Sequence, residues 1–438
     1  MPRSTRWGGV RFRQSLLICA AVVEVSALGG LAWGRPAFPS SGLLLFGLAF
    51  LAYAVAAVAV GQDREGHADR GTWVLIWGAA IAARLLLLPA EPRLSDDIWR
   101  YLWDGHVQLA GENPFRFAPA DMALEAIRTP WHGLINNPTV STIYPPVAQV
   151  FFGFIAILGG TVTAAKTVWI ALDLCAVATV VAVARALDRP AARVAILYAW
   201  SPLLIVETAW SGHLEPLGVL WLCLFLLFLA RDRAILAGGV LAAAVLTKFA
   251  PIAALPAVAR KLGWQGLAVV ALGIVALYLP YLAAGDQLWS GLTTYARHWR
   301  FNAGAFALVE WAFPGPVRPR IIAAVVVLLV VLMTTLRSFA PDRALLWILG
   351  TGIALSPTVH PWYLLWILPL AALRLNWAWL YLSGSVFLGY WSLDTFERAG
   401  EWPEPLAVRL LVWTPFFGLL VWQLYRDRSA GEGADAEP

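Results

Sequence analysis

Charge is what this sequence has least of. Of its 438 residues only 13% are Asp, Glu, Lys or Arg, while 60% are hydrophobic and the mean hydropathy is +0.69. An ordinary water-soluble domain carries roughly 25% charged residues, so a chain of two or three soluble domains is excluded. Cysteine is scarce as well. Cys19, Cys175 and Cys223 each lie alone inside an apolar run, which excludes a disulfide framework or a zinc cluster and makes them packing residues. No metal-ligand spacing occurs and no cofactor is called for. There is no internal repeat, no low-complexity segment and no glycine-rich phosphate loop. The net charge of +5 resides mostly in short gaps between apolar runs, where it acts as a topology signal and not as a nucleic-acid face.

What is present is apolar sequence in segments of about 15 to 25 residues, recurring from residue 15 to residue 425. The expected fold is all-α: a polytopic membrane protein of about 14 spans forming a single transmembrane domain over residues 1–426, followed by a disordered cytoplasmic tail at 427–438. Three spans, near 15 to 33, 42 to 60 and 72 to 89, precede a first large loop at 90–143; a second lies at 285–319. Some of the later spans are short, such as 250 to 259 and 361 to 374. The charged-then-apolar N-terminus lacks a cleavage site and reads as an uncleaved first span. "YPPVAQVFFGFIAILGG", residues 144 to 160, reads as a helix lying in or dipping into the outer leaflet, started by Pro145 and Pro146.

Orientation follows from the basic residues of short loops. With Arg3, Arg6, Arg11 and Arg13 inside, the 90–143 loop is outside, and Arg185, Arg189, Arg193, Arg231, Arg233, Arg260 and Lys261 return inside. The same assignment collects "SDDIWRYLWDGH", "WSGHLEP", "YARHWRFN" and "SPTVHPWY" on the outer face, where all the candidate chemistry gathers.

Ser95 can cap a helix whose first turn holds Asp96 and Asp97, a favourable place for carboxylates. Helical spacing aligns Asp96 with Arg100 and Trp103, and Asp97 with Arg100, Tyr101 and Asp104. A carboxylate here can act as general base on a hydroxyl; a solvated loop helix with an internal ion pair is the plainer reading. His213, Glu215 and His360 stand at outer ends of spans, where they can bind sugar hydroxyls or phosphate, or simply hydrogen-bond at the surface. Arg297 and Arg300 suit phosphate oxygens or, equally, anionic lipid headgroups. Lys248, between two short spans, is a functional candidate as an intramembrane-edge charge. Asp173 and Glu207 are further buried acids that fit structural pairing. "GENPFRFAP" at 111 to 119 carries turn chemistry and folds back on the bilayer surface.

The motifs "SDDIWRYLWDGHVQLAGENPFRFAP", "IYPPVAQVFF", "WSPLLIVETAWSGHLEP", "LTKFAPIAALP" and "SPTVHPWYLLW", spread over residues 95 to 366, resemble the bacterial polyprenyl-phosphate-mannose-dependent mannosyltransferases of the GT-C superfamily. The resemblance implies a multi-spanning glycosyltransferase of the bacterial inner membrane. Its donor would be a polyprenyl-phosphate sugar, used on the non-cytoplasmic face with inversion, and its acceptor a lipid or glycan. An acid of the first outer loop would be the base: Asp96 or Asp97, with Asp96 favoured. Tyr144 would shape the donor pocket, although a helix start explains its neighbouring prolines equally well. The competing class is a transporter or flippase in which Asp and His relay protons; such proteins tend to show repeated halves, and here the acids cluster in one asymmetric loop.

Overall fold

A backbone surrounded by hydrocarbon must satisfy its hydrogen bonds within itself, and uninterrupted apolar runs do so as helices. The computed structural model, which describes residues 3–61 and 68–434, is 77% helical and contains no strand among the described residues. Three helices come first: α1 (Arg3–Trp33), α2 (Ser41–Gly61) and α3 (Arg70–Leu87), the last capped by Asp69, which accepts from the Thr72 amide at 2.9 Å. The first large loop contains α4 (Asp97–Leu109) and two short 3-10 turns, then α5 (Pro146–Ile157). There follow α6 (Val162–Ala186), α7 (Ala191–Ala199), α8 (Pro202–Ile205), α9 (Glu215–Ala230), α10 (Ala234–Val245) and α11 (Leu255–Tyr278). The remainder comprises α12 (Ser290–His298), α13 (Ala305–Ala312), α14 (Arg318–Leu336), α15 (Pro341–Ala354), α16 (Leu368–Arg374), α17 (Trp377–Ser385), α18 (Leu393–Ala399) and α19 (Leu406–Ala434).

Seven helices among the described residues are long and apolar enough to cross a membrane, or eight if the bent pair Ala191–Ala199 and Pro202–Trp210 is one span. The count of about 14 is not reached by helices of spanning length. Apolar composition alone does not show where a run breaks: the stretch from 361 to 374 divides into a 3-10 turn, Pro361–Trp366, and the seven-residue α16, while 250 to 259 begins with another 3-10 turn, Ala250–Ala254. A helix rises only about 1.5 Å per residue, so such pieces cannot cross alone. At the far end α19 runs on to Ala434, so the segment from 427 that was expected to be disordered is helical to that point; residues 435–438 lie outside the described residues. Of the cysteines, Cys223 is buried, whereas Cys19 and Cys175 lie on the outer surfaces of α1 and α6, so a packing role fits only the first.

Several contacts position the first loop. The buried Arg84 of α3 donates through Nε to Asp173 of α6 at 2.5 Å and through Nη1 to the carbonyl of Ala199 at 3.0 Å, joining α3, α6 and α7. Lys166 of α6 donates to the carbonyls of Leu87 and Ala90 at 2.9 and 2.6 Å, closing the C-terminus of α3. The Trp210 indole donates to the Glu91 carbonyl at 2.7 Å. The chain leaving α3 toward Asp96 is thus tied at two consecutive carbonyls. Farther on, α4 packs closely on α5 because Gly105 has no side chain; a Cβ there would stand 2.2 Å from the Phe152 carbonyl oxygen. Pro146 occupies the first turn of α5 as expected.

Candidate active site

The helix bearing the paired acids starts one residue later than its serine suggests. Asp96, not Ser95, stands at the N-cap of α4 and makes no capping bond, while the Ser95 hydroxyl accepts from the Asp97 amide at 3.2 Å. With capping left to the serine, the Asp96 carboxylate is free to face a cavity of about 1230 Å³, whose wall it shares with Asp97, Lys248, Tyr144 and His360. Asn136, reaching in from the same loop, donates through one amide nitrogen to Asp96 at 2.8 Å and to Asp97 at 2.7 Å. The two carboxylates are therefore held side by side on one neutral donor.

Their electrostatics follow. Loss of water along the cavity wall raises the Asp96 carboxyl above its ordinary value, although the side chain remains accessible from the cavity; the Asn136 bond partly offsets this. Asp97, whose side chain is 20% exposed, is pushed up to about 7, first by burial and then by the charge of Asp96, against the opposing pull of Asn136 and Lys248. Behind Asp97 lies His213, its Nδ1 3.8 Å from Asp97 Oδ2 and its Nε2 3.4 Å from Glu207 Oε2. Glu207 in turn accepts from the Tyr390 hydroxyl at 2.8 Å. A π-helical turn, Val206–Trp210, carries Glu207; such turns recur at functional sites because the extra residue re-aims a side chain.

A column of four rings crosses the site. His213 stacks on Trp362 with centroids 3.9 Å apart, Trp362 on His360 at 4.4 Å, and His360 on Phe301 at 4.7 Å. Burial, with Lys248 adding to it, lowers the imidazole of His360 to about 3 and that of His213 well below its ordinary value. Both rings are neutral near neutral pH, so neither is a cationic phosphate site; His360 lines the cavity, while His213 is fully buried behind it. Lys248, 25% exposed, is ion-paired with the buried Glu215 and sits 4.6 Å from the centre of the Tyr363 ring.

The four polar clusters that the sequence assigned to one face thus contribute to one place, but not every expected residue reaches it. Arg100 does line the cavity, but it donates to Asp104 at 3.0 Å and to the Val140 carbonyl at 2.8 Å, so its charge is committed to Asp104 and not to the paired acids. Asp104 is buried and also accepts from Thr142 and Gln149 at 2.5 and 3.0 Å, a structural knot between α4 and α5. Tyr101 is buried against Phe152 with its hydroxyl 3.4 Å from His213. Tyr101 thus stands behind the cavity wall, as do His213 and Glu215, for which the sequence suggested binding. Arg297 is exposed and does not line the cavity; Arg300 lines it but is held by Glu310 through two nitrogens. Asp173 and Glu207 divide: the first pairs with Arg84, the second joins the site.

Sequence reasoning missed Asn136, Trp362 and Tyr363. Asn136 lies in "INNP", which signals only a turn, and its partners are 39 and 40 residues away in sequence. From the carboxylates the cavity continues past Lys248 along an apolar wall that includes Ala253, Val327 of α14 and Ile348, Leu349 and Ile353 of α15. Among the described residues no group of three or more His, Cys, Asp or Glu could hold a metal ion.

The model of a family described as alpha-(1->6)-mannopyranosyltransferase, N-terminal domain, matches residues 19–264. That match covers Asp96, Asp97, Asn136, His213, Glu215 and Lys248, and ends before the ring column's Phe301, His360 and Trp362. Neither the comparison with curated proteins nor that with solved structures gives a match.

Proposed function

Because the chain belongs to the alpha-(1->6)-mannopyranosyltransferase family of GT-C-type glycosyltransferases, we propose that it takes mannose from a polyprenyl-phosphate donor and places it, with inversion, on a hydroxyl of a glycan or lipid acceptor. The observation that carries this reading is a single cavity that joins paired carboxylates to a lysine and an apolar wall. A lipid-linked donor needs all three. Its hydrocarbon lies against α14 and α15, its phosphate meets the Lys248 ammonium, and its anomeric carbon is presented toward Asp96. The acceptor oxygen bonds to that carbon as the bond to the phosphate oxygen breaks. The acceptor's proton passes to Asp96, and polyprenyl phosphate leaves with the bonding pair. Lys248 stabilises the charge that develops on the leaving group. The basic residues of the short loops support an active site on the non-cytoplasmic face of a bacterial inner membrane.

Membranes from cells producing the protein should label acceptor from radiolabelled polyprenyl-phosphate mannose, and not from a nucleotide sugar when synthesis of the lipid donor is blocked. Labelling from the nucleotide sugar under that block contradicts the donor assignment.

The site also predicts a pH profile. A base must be ionised, and both carboxyls are raised, so kcat/KM should climb with pH through an acidic limb near 7, the value toward which Asp97 is pushed. That limb belongs to the coupled pair. Asp97→Asn removes the like charge beside Asp96, so residual activity should show a limb at lower pH. Asn136→Ala removes a bond that favours ionisation and should move it higher. A flat profile through the acidic range, in wild type and both variants, is the contrary result.

A further inference from the structure

The donor reading leaves one part of the cavity wall without a role. Besides the apolar wall, the lining includes Arg93, Phe301, Phe396, Glu397 and Trp402. Arg93 lies three residues before Asp96 in the chain. It donates to Glu397 at 2.7 and 2.8 Å and to Asp394 at 2.9 Å. The rings form a connected surface: Phe301 meets Trp402 at 5.9 Å, and Trp402 meets Phe396 at 5.3 Å. Backbone ties hold the segments in register. The Phe301 amide donates to the Pro357 carbonyl at 3.1 Å, and the Asn302 amide to Glu404 at 2.9 Å.

This combination is amphiphilic at the scale of one ring. Phe396 is 45% exposed and the Glu397 side chain 40%, so aromatic faces and carboxylate oxygens are open side by side. A hydrocarbon would cover the rings and strip water from Glu397 without replacing its hydrogen bonds, which is unfavourable. A pyranose matches both: its C–H face lies on an aromatic plane while its rim hydroxyls donate to a carboxylate already oriented by arginine. We propose that this part of the cavity wall is an acceptor subsite, in which a hexopyranose residue of a glycan stacks on Phe396 and Trp402 and donates its hydroxyls to Glu397, presenting the chain end to Asp96. Apart from Arg93, these residues lie beyond residue 264, outside the segment matched by the family model. The inference rests on the transferase reading and selects a glycan acceptor within it.

Binding tests it without catalysis. Purified full-length protein in detergent is titrated with a short mannose oligosaccharide by calorimetry, with no lipid donor present. Wild type should bind, Trp402→Ala should bind at least about tenfold more weakly, and Trp402→Tyr should recover most of the affinity through its remaining ring. In transfer assays Trp402→Ala should raise the acceptor KM while the donor KM stays unchanged. Failure of the wild type to bind the oligosaccharide, or binding by Trp402→Ala equal to wild type, overturns the subsite. Equal loss of donor and acceptor affinity in Trp402→Ala also overturns it. Oligosaccharide binding without transfer from any lipid-linked sugar would instead leave the subsite standing and refute the donor assignment.

Discussion

Asp96→Asn should lower turnover by at least about 100-fold, the usual scale for removing a general base, while donor binding persists. The amide keeps the size of the carboxylate, and its oxygen can still accept the Asn136 bond that Asp96 accepts at 2.8 Å. Geometry is thus preserved and only basicity is lost. Asp97→Asn should be milder, because Asp97 is more enclosed and turns its second oxygen toward His213. Steady-state rates of the purified variants decide between them. Asp96→Asn with more than about a tenth of wild-type turnover would contradict a base role of that size, and a severe loss confined to Asp97→Asn would move the role one residue along.

The second large effect concerns stability. Arg84 and Asp173 are both fully buried and lie 2.5 Å apart. Arg84→Met leaves the Asp173 carboxyl without its cation and should destabilise the protein by about 3 to 5 kcal/mol, the cost of removing one partner from a buried pair. The double replacement Arg84→Met with Asp173→Leu should cost much less, since no unpaired group remains. Unfolding of detergent-solubilised protein compares the two. A single variant as stable as wild type would show that the pair does not hold α3 to α6, and the chain leading to Asp96 would then have to be held by Lys166 and Trp210 alone.

What could be read from the sequence divides by distance along the chain. The helical class, the start of α5 at Pro146 and the helix beginning beside Ser95 are local matters of apolar runs, prolines and caps, and these were legible. So was the convergence of the polar clusters, because basic loops and polar loops alternate along the chain. The count of spans was not legible, since the breaks at 361 to 366 and 250 to 254 are made by 3-10 turns inside apolar sequence. Nor was the partner of Arg100. At helical spacing it can reach Asp96, Asp97 or Asp104, and the choice of Asp104 is made by Thr142 and Gln149, which converge on that carboxylate from 38 and 45 residues away. The neutrality of His213 and His360 likewise comes from burial in a ring column assembled from three distant segments.

The stereochemistry of a single transfer bears most directly on a direct displacement at Asp96. Purified protein is given polyprenyl-phosphate mannose of known anomeric configuration together with a mannose oligosaccharide, and the new linkage is read by nuclear magnetic resonance. Attack by an acceptor oxygen, with Asp96 taking its proton and polyprenyl phosphate departing from the opposite side, yields the inverted configuration. A product that retains the donor's configuration, or no product from the lipid-linked sugar at all, would contradict it.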